Sequence, residues 1–296
     1  MGWVRSAVAA VQFLTRLPLP YRFEYTESIF RRSTPFYPLV GGLLGLFLAI
    51  FALPLQYLLS SQPAAAVILS LWVALTGALH LDGLMDSADG LLSHRSPERM
   101  LEIMKDSRVG AMGVIVAVLV LLMKFTFLNA FLENVIVERP ESILWLVLIP
   151  VWSRWFMTAA IAHWPYARGE AGLGAYFRRV RFRHVAVGWM LACITTWVTV
   201  AIIPYVGGWE IVQQFASRPT TSSYLGTFLD TGNTYSVGFI VGVPIILTFL
   251  TIIAGWPMAR GISKKLGGLT GDTYGAINEL LEVFLLAIFI IACRFT

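Results

Sequence analysis

The chain has 296 residues, of which 57% are apolar and only 13% charged, about half the charged share of a soluble domain. A mean hydropathy of +0.72 excludes a disordered or collagen-like chain, and a soluble globule has no use for so many apolar residues. The net charge of +5 would suggest nucleic acid in a soluble protein, but in a membrane chain it is accounted for by the arginines and lysines that set topology, so no nucleic-acid partner is expected.

The first element, Trp3–Leu17, has an apolar heart between Arg5 and Arg16 that is too short to span. Trp3, Ala7, Val11 and Leu14 recur at helical spacing, which predicts an amphipathic helix lying on the bilayer surface. No long apolar run precedes Ala7-Val8-Ala9, so a cleaved leader is not expected. Stretches long enough to cross the bilayer, about 20 residues each, then follow near Phe36–Leu59, Pro63–Leu81, Val109–Leu132, Ser142–Ala162, Val185–Val206, Tyr235–Trp256 and Tyr274–Ile291. The expected fold is all-α and polytopic, with about seven transmembrane helices in one domain, 1–296. Gly41, Gly42 and Gly45 open the first span and read as a close helix contact. The two cysteines, Cys193 and Cys293, lie far apart in apolar runs and form neither a disulfide framework nor a thiolate zinc site.

At the end of the second span comes His80-Leu81-Asp82-Gly83-Leu84-Met85-Asp86-Ser87-Ala88-Asp89-Gly90. Spacings of four, three and seven put Asp82, Asp86 and Asp89 within about 60° of one helix face. Three aligned carboxylates repel one another unless a cation neutralises them, and oxygen-only ligands suit a hard ion such as Mg²⁺ that also bridges phosphates. The bland alternative is a solvated acidic helix end. Next, Lys105-Asp106-Ser107-Arg108-Val109-Gly110 opens the third span. Arg108 there can clamp a phosphate with both prongs, while Asp106 either adds a carboxylate or orients that arginine; the competing reading is a topology-setting arginine beside a helix cap.

Lys124 and Arg154 stand inside spans. A central arginine costs roughly 2.5–3.5 kcal/mol in a membrane helix, so Arg154 is expected to pair with an acid or a substrate phosphate. His80 and His163 near helix ends are candidate bases, with a hydrated interfacial histidine as the alternative. The basic run Arg178, Arg179, Arg181 and Arg183 reads as an anchor to anionic lipid. Segment 207–234 is an external loop by composition. The last constellation is Gly267-Gly268-Leu269-Thr270-Gly271-Asp272-Thr273-Tyr274-Gly275, with Asn278, Glu279 and Glu282 after it. Glycines feeding a helix N-terminus, Gly271 among them, can offer backbone N–H groups to a phosphate. Asp272, Glu279 and Glu282 share a helical face and are candidates for a second ion, or for a structural network with Arg154.

Between spans, seventeen arginines and lysines fall on one side and three (Arg139, Arg218, Arg294) on the other. The positive-inside rule therefore puts the N-terminus and both acidic motifs at the cytoplasm.

In these residues the chain resembles the cobalamin synthases, the adenosylcobinamide-GDP ribazoletransferase family. The markers are Phe13-Leu14-Thr15-Arg16-Leu17-Pro18, Phe36-Tyr37-Pro38-Leu39-Val40-Gly41, His80–Gly90, Asp106–Gly110, Ser153-Arg154 and Gly268–Glu282, which together cover nearly the whole chain. The resemblance implies a Mg²⁺-dependent inner-membrane transferase. It would join adenosylcobinamide-GDP to α-ribazole, or its 5′-phosphate, and release GMP on the cytoplasmic side, with Arg16 added to the substrate-binding set. Asp86-Ser87-Ala88-Asp89-Gly90 also partly resembles the CDP-alcohol phosphotransferase signature, but Leu91-Leu92-Ser93 follows where that family has an Ala-Arg pair. Another diphosphate transferase and a cation-coupled transporter are the rival readings, and a homo-oligomer is left open.

Overall fold

The computed structural model describes residues 2–21, 26–136, 140–169, 176–177, 179–206 and 237–295. Arg178 and the 207–234 loop lie outside the described residues. The architecture is all-helical; among the described residues the only β pairing is a single bridge, Tyr166 to Leu269. The helices are α1 (Gly2–Leu14), α2 (Glu27–Ser33), α3 (Tyr37–Leu58), α4 (Ser61–Thr76), α5 (Leu79–Leu91), α6 (Pro97–Ile103), α7 (Ala111–Ile136), α8 (Leu148–His163), α9 (Phe182–Val206), α10 (Val237–Leu266) and α11 (Gly271–Phe295). Six helical stretches are long and apolar enough to cross a membrane, seven if α4 and α5 count as one broken span. This is a multi-pass membrane protein.

Helix α8 is the axis of the bundle, with Trp152, Arg154 and Phe156 fully enclosed. α3 lies so close to it that a Cβ on Gly41 would stand 2.1 Å from the Pro150 carbonyl oxygen, and one on Gly45 2.5 Å from Val147 Cα. The three glycines of the first span are therefore a packing seam, since only a residue without a side chain lets the backbones approach this far. α7 and α10 sit outside, with Val118, Leu119, Ile245 and Phe249 exposed as a lipid-facing surface requires.

The N-terminal helix forms where expected, but its inward face is Ser6, Ala9, Ala10 and Leu14 rather than the Trp3 stripe. Small residues let α1 settle closely on its neighbours, while Trp3 stays 61% exposed and meets Phe36 edge-on. α10 runs ten residues beyond the expected Trp256, so Arg260, Lys264 and Lys265 stand on a helix rather than in a loop.

The second span differs most from expectation. α4 ends at Thr76 and α5 leaves at 86° to it. Gly77 takes φ +60° as the helix C-cap, and the N–H groups of Gly77 and Ala78 donate to the carbonyls of Ala74 and Val73, the pairing that satisfies the last carbonyls of a helix. Ala78 is also left-handed, at φ 57°, a conformation that costs a non-glycine residue about 1–3 kcal/mol. The acids after Leu81 thus belong to a separate helix set at 86° to α4.

Candidate active site

Helix α5 is fixed to the start of α11 by two reciprocal glycine contacts. A Cβ on Gly83 would stand 2.7 Å from the Asp272 carbonyl oxygen, and one on Gly275 would be 3.1 Å from the His80 backbone. The acidic motif and the glycine-rich motif are thus the two halves of one helix crossing. Before it, Ala167 N–H donates to Leu269 O and Leu269 N–H to Pro165 O, both at 2.8 Å. A capping box then starts α11, with Thr273 N–H donating to the Thr270 hydroxyl and Thr270 N–H to Thr273 Oγ1. Gly271 lies exposed at the first position, where a Cβ would meet nothing within 4 Å, so the approach to this helix N-terminus is open.

The crossing puts Asp272 beside the acids of α5. Asp82 is exposed, while Asp86 and Asp272 are half-buried. The Asp86 carboxyl is pushed up to about 7, first by burial and then by the charges of Asp272 and Asp82, with Arg168 opposing and Asp89 adding a little. The cluster is short of positive charge. Among the described residues its one direct cation is Arg168, whose Nη2 donates to Asp272 Oδ2 at 2.6 Å and to the Met104 carbonyl at 3.2 Å.

Asp89 has another task. Its two oxygens accept from Gly110 N–H at 2.8 Å and Gly113 N–H at 2.7 Å, capping the first turn of α7. A Cβ on Gly110 or Gly113 would fall 2.3 or 2.5 Å from that carboxylate, so both glycines are needed for the cap. Asp106 accepts from Arg108 Nε and Nη2 at 3.0 and 2.6 Å, and these bonds, with Arg108 N–H, hold its carboxyl down at about 2. It orients the arginine, whose side chain remains 88% exposed.

Five of the expected site residues lie elsewhere. Glu279 and Glu282 are buried around Lys124, whose Nζ donates to Glu279 Oε2 at 2.6 Å and Glu282 Oε2 at 2.5 Å. Arg154 Nη1 donates to Glu282 Oε1 at 2.7 Å, with no exposed surface on either side chain. Of the two alternatives the sequence left open, a second ion site or a structural network with Arg154, these ion pairs form the network, with Lys124 as its second cation and an acid rather than a phosphate as the partner of Arg154, because opposite charges at membrane depth neutralise each other. His80 is likewise buried; its Nδ1 stands 3.1 Å from Asn278 Nδ2, which also donates to Glu282. It ties α5 to α11 rather than facing a substrate. Arg16 is exposed over the α4–α5 break, where its N–H donates to the Leu75 carbonyl at 2.7 Å and its side chain fills the place a Gly77 Cβ would take.

Among the described residues, no three carboxylate, histidine or cysteine side chains are close enough to hold an ion by themselves. That suits Mg²⁺ in a substrate-completed site, since this ion uses one or two carboxylates plus phosphate oxygens rather than an all-protein cage. The oxygen-only donors and the uncompensated charge on Asp86 fit such an ion; Glu279 and Glu282 do not.

A model of the cobalamin-5-phosphate synthase family matches residues 6–290. The chain belongs to that family. It is 38% identical to the adenosylcobinamide-GDP ribazoletransferase of Desulfitobacterium hafniense over 98% of both chains. To the enzymes of that name from Pseudomonas entomophila and Brevibacillus brevis it is 39% and 35% identical, over 94% and 95% of this chain and 95% and 96% of theirs. No solved structure matches.

Sequence reasoning gave no role to two residues, Arg168 in the acid cluster and Lys124 in the buried network. Lys124 carried a readable signal, a lysine in an apolar span that needs a counter-ion. Arg168 carried none, being one of many arginines on its side of the chain.

Proposed function

We propose that this enzyme is a Mg²⁺-dependent adenosylcobinamide-GDP ribazoletransferase, working at the cytoplasmic face of the inner membrane. The observation that carries the reading is the crossing that gathers Asp82, Asp86 and Asp272 beside Arg168, next to an open helix N-terminus. A divalent ion held by one or two of those carboxylates and by the substrate pyrophosphate would neutralise the charge of the departing GMP. The chain's own residues supply the rest. Arg168 holds Asp272 in place, the exposed N-terminus of α11 at Gly271 offers N–H groups to a phosphate, and Arg108, oriented by Asp106, brings a second cation.

In the step, a ribose hydroxyl of α-ribazole, or of its 5′-phosphate, attacks the phosphorus on the cobinamide side of the pyrophosphate. The new phosphodiester bond forms, the anhydride bond breaks, and GMP leaves with the bonding pair. The hydroxyl proton passes to a carboxylate of the cluster; Asp82 is the exposed one, whereas His80 is enclosed. The cytoplasmic orientation is supported by the seventeen-to-three distribution of arginine and lysine.

The test is GMP release by purified protein from adenosylcobinamide-GDP and α-ribazole 5′-phosphate, with and without Mg²⁺. Release that requires both substrates and the ion is expected. No release with this pair, or equal release after chelation, refutes the proposal.

A further inference from the structure

Away from the acids, α1, α2 and the start of α9 enclose two adjoining clefts of about 480 and 400 Å³, which share Arg32 as a common wall. Arg5 lines the first, with the hydroxyls of Ser6, Thr26 and Ser28; Arg183 lines the second, beside His184. Among the described residues, none of Arg5, Arg32 and Arg183 has a carboxylate partner, although Glu27 pairs with Arg31 and Arg179 nearby. Among the described residues, no acid lines either cleft. Three guanidinium groups without a carboxylate partner among the described residues, lining two clefts that meet at Arg32, call for an anion.

Where the hollow sits identifies that anion. Arg32 precedes the turn into the apolar α3, and Arg183 stands in the first turn of α9, so both mark the level at which spanning helices enter the hydrocarbon. The second cleft has an apolar wall of Trp3, Pro35 and Val187, and Val4 and Phe182, the chain neighbours of lining residues, are 63% and 81% exposed. A charged end at headgroup level, with an apolar wall leading inward, matches one amphipathic anion.

We propose that this cleft is a specific site for the headgroup of an anionic phospholipid, its phosphate held by Arg5, Arg32 and Arg183 and its acyl chains laid along α3 and α9. It is separate from the acid cluster and does not depend on the transfer chemistry.

The test is the unfolding midpoint of the protein in neutral detergent micelles, titrated with phosphatidylglycerol or phosphatidylcholine. Phosphatidylglycerol should raise the midpoint and phosphatidylcholine should not. The triple variant Arg5→Gln, Arg32→Gln, Arg183→Gln should bind phosphatidylglycerol about 10- to 100-fold more weakly, on the scale of roughly 1 kcal/mol per basic residue at an anionic surface. A charge-matched control, Arg95→Gln, Arg260→Gln, Lys264→Gln, should retain the wild-type response. Equal losses in both triples would reduce the effect to diffuse attraction and overturn the site. A shift reproduced by inorganic phosphate or GMP at the same concentration, and abolished by the cleft variant, would make it a soluble-phosphate site and overturn the lipid assignment. Should the cleft variant not fold, native mass spectrometry of the wild type with the two lipids in equal amounts decides: preferential retention of phosphatidylglycerol supports the site, and statistical retention of both refutes it.

Discussion

Replacing Lys124 by methionine removes the ammonium that two buried carboxylates share. Its Nζ lies within 2.6 Å of Glu279 and 2.5 Å of Glu282, and 4.6 Å from the centre of the Trp72 ring. In the variant Arg154 still neutralises Glu282, so Glu279 becomes the unpaired charge. Breaking a buried pair by removing one partner costs about 3–5 kcal/mol, and the lost cation–π contact adds to this by up to about 2 kcal/mol in a desolvated setting. Removing the orphaned charge as well reverses most of the loss, because a neutral pair of similar volume leaves no buried ion behind. Lys124→Met should therefore unfold at clearly lower denaturant in micelles, and Lys124→Met with Glu279→Gln should return to within about 2 kcal/mol of wild type. A single variant as stable as wild type, or a double variant no better than the single, would show that these groups are not the coupled network described.

Gly113→Ala would drive a methyl into the Asp89 carboxylate; it should cost about 1 kcal/mol through the lost cap and lower kcat, read from unfolding curves and GMP release. With metal chelated, the Asp86 carboxyl at about 7 lies above its unfolded value near 3.9, so the folded state binds the extra proton between these values. Stability must then fall as pH rises from about 4 to 7, and Asp86→Asn should flatten that slope in a pH series of unfolding midpoints. A cysteine label at position 60 should react from outside intact cells and one at position 95 only after permeabilisation, since the excess of basic residues assigns them to opposite sides.

The spans and the acidic helix were legible because membrane depth turns composition into structure: long apolar runs must be helices, and each charge within them needs a reason. The three glycines of α3 were legible for a similar reason, as small residues are what close helix contacts require. The break after Thr76 was not, because apolar residues continue through it and the left-handed Gly77–Ala78 pair leaves a single glycine as its local sign. Helical spacing grouped Asp89 with Asp82 and Asp86, but spacing shows only a shared face; the backbone N–H groups of another helix claim Asp89. The same limit applied to Asp272, Glu279 and Glu282. One helix face carries all three, yet Asp272 sits at the exposed first turn while the glutamates lie deep enough to need Lys124 and Arg154. Which charge meets which is decided by helix packing over separations of more than a hundred residues, and local pattern does not contain it.

The proposed division of labour is that one or two carboxylates of the Asp82, Asp86 and Asp272 cluster hold the ion together with the substrate pyrophosphate, while Glu279 belongs to the supporting network. Its most direct test is the Mg²⁺ activation curve of GMP release for Asp82→Asn, Asp86→Asn, Asp272→Asn and Glu279→Gln. An aspartate variant that has lost a ligand should need at least tenfold more Mg²⁺ for half-maximal rate, about 1.4 kcal/mol or more of lost ion affinity, while Glu279→Gln should keep the wild-type Mg²⁺ requirement even if its stability falls. Unchanged requirements in the three aspartate variants, with a raised one in Glu279→Gln, would contradict it.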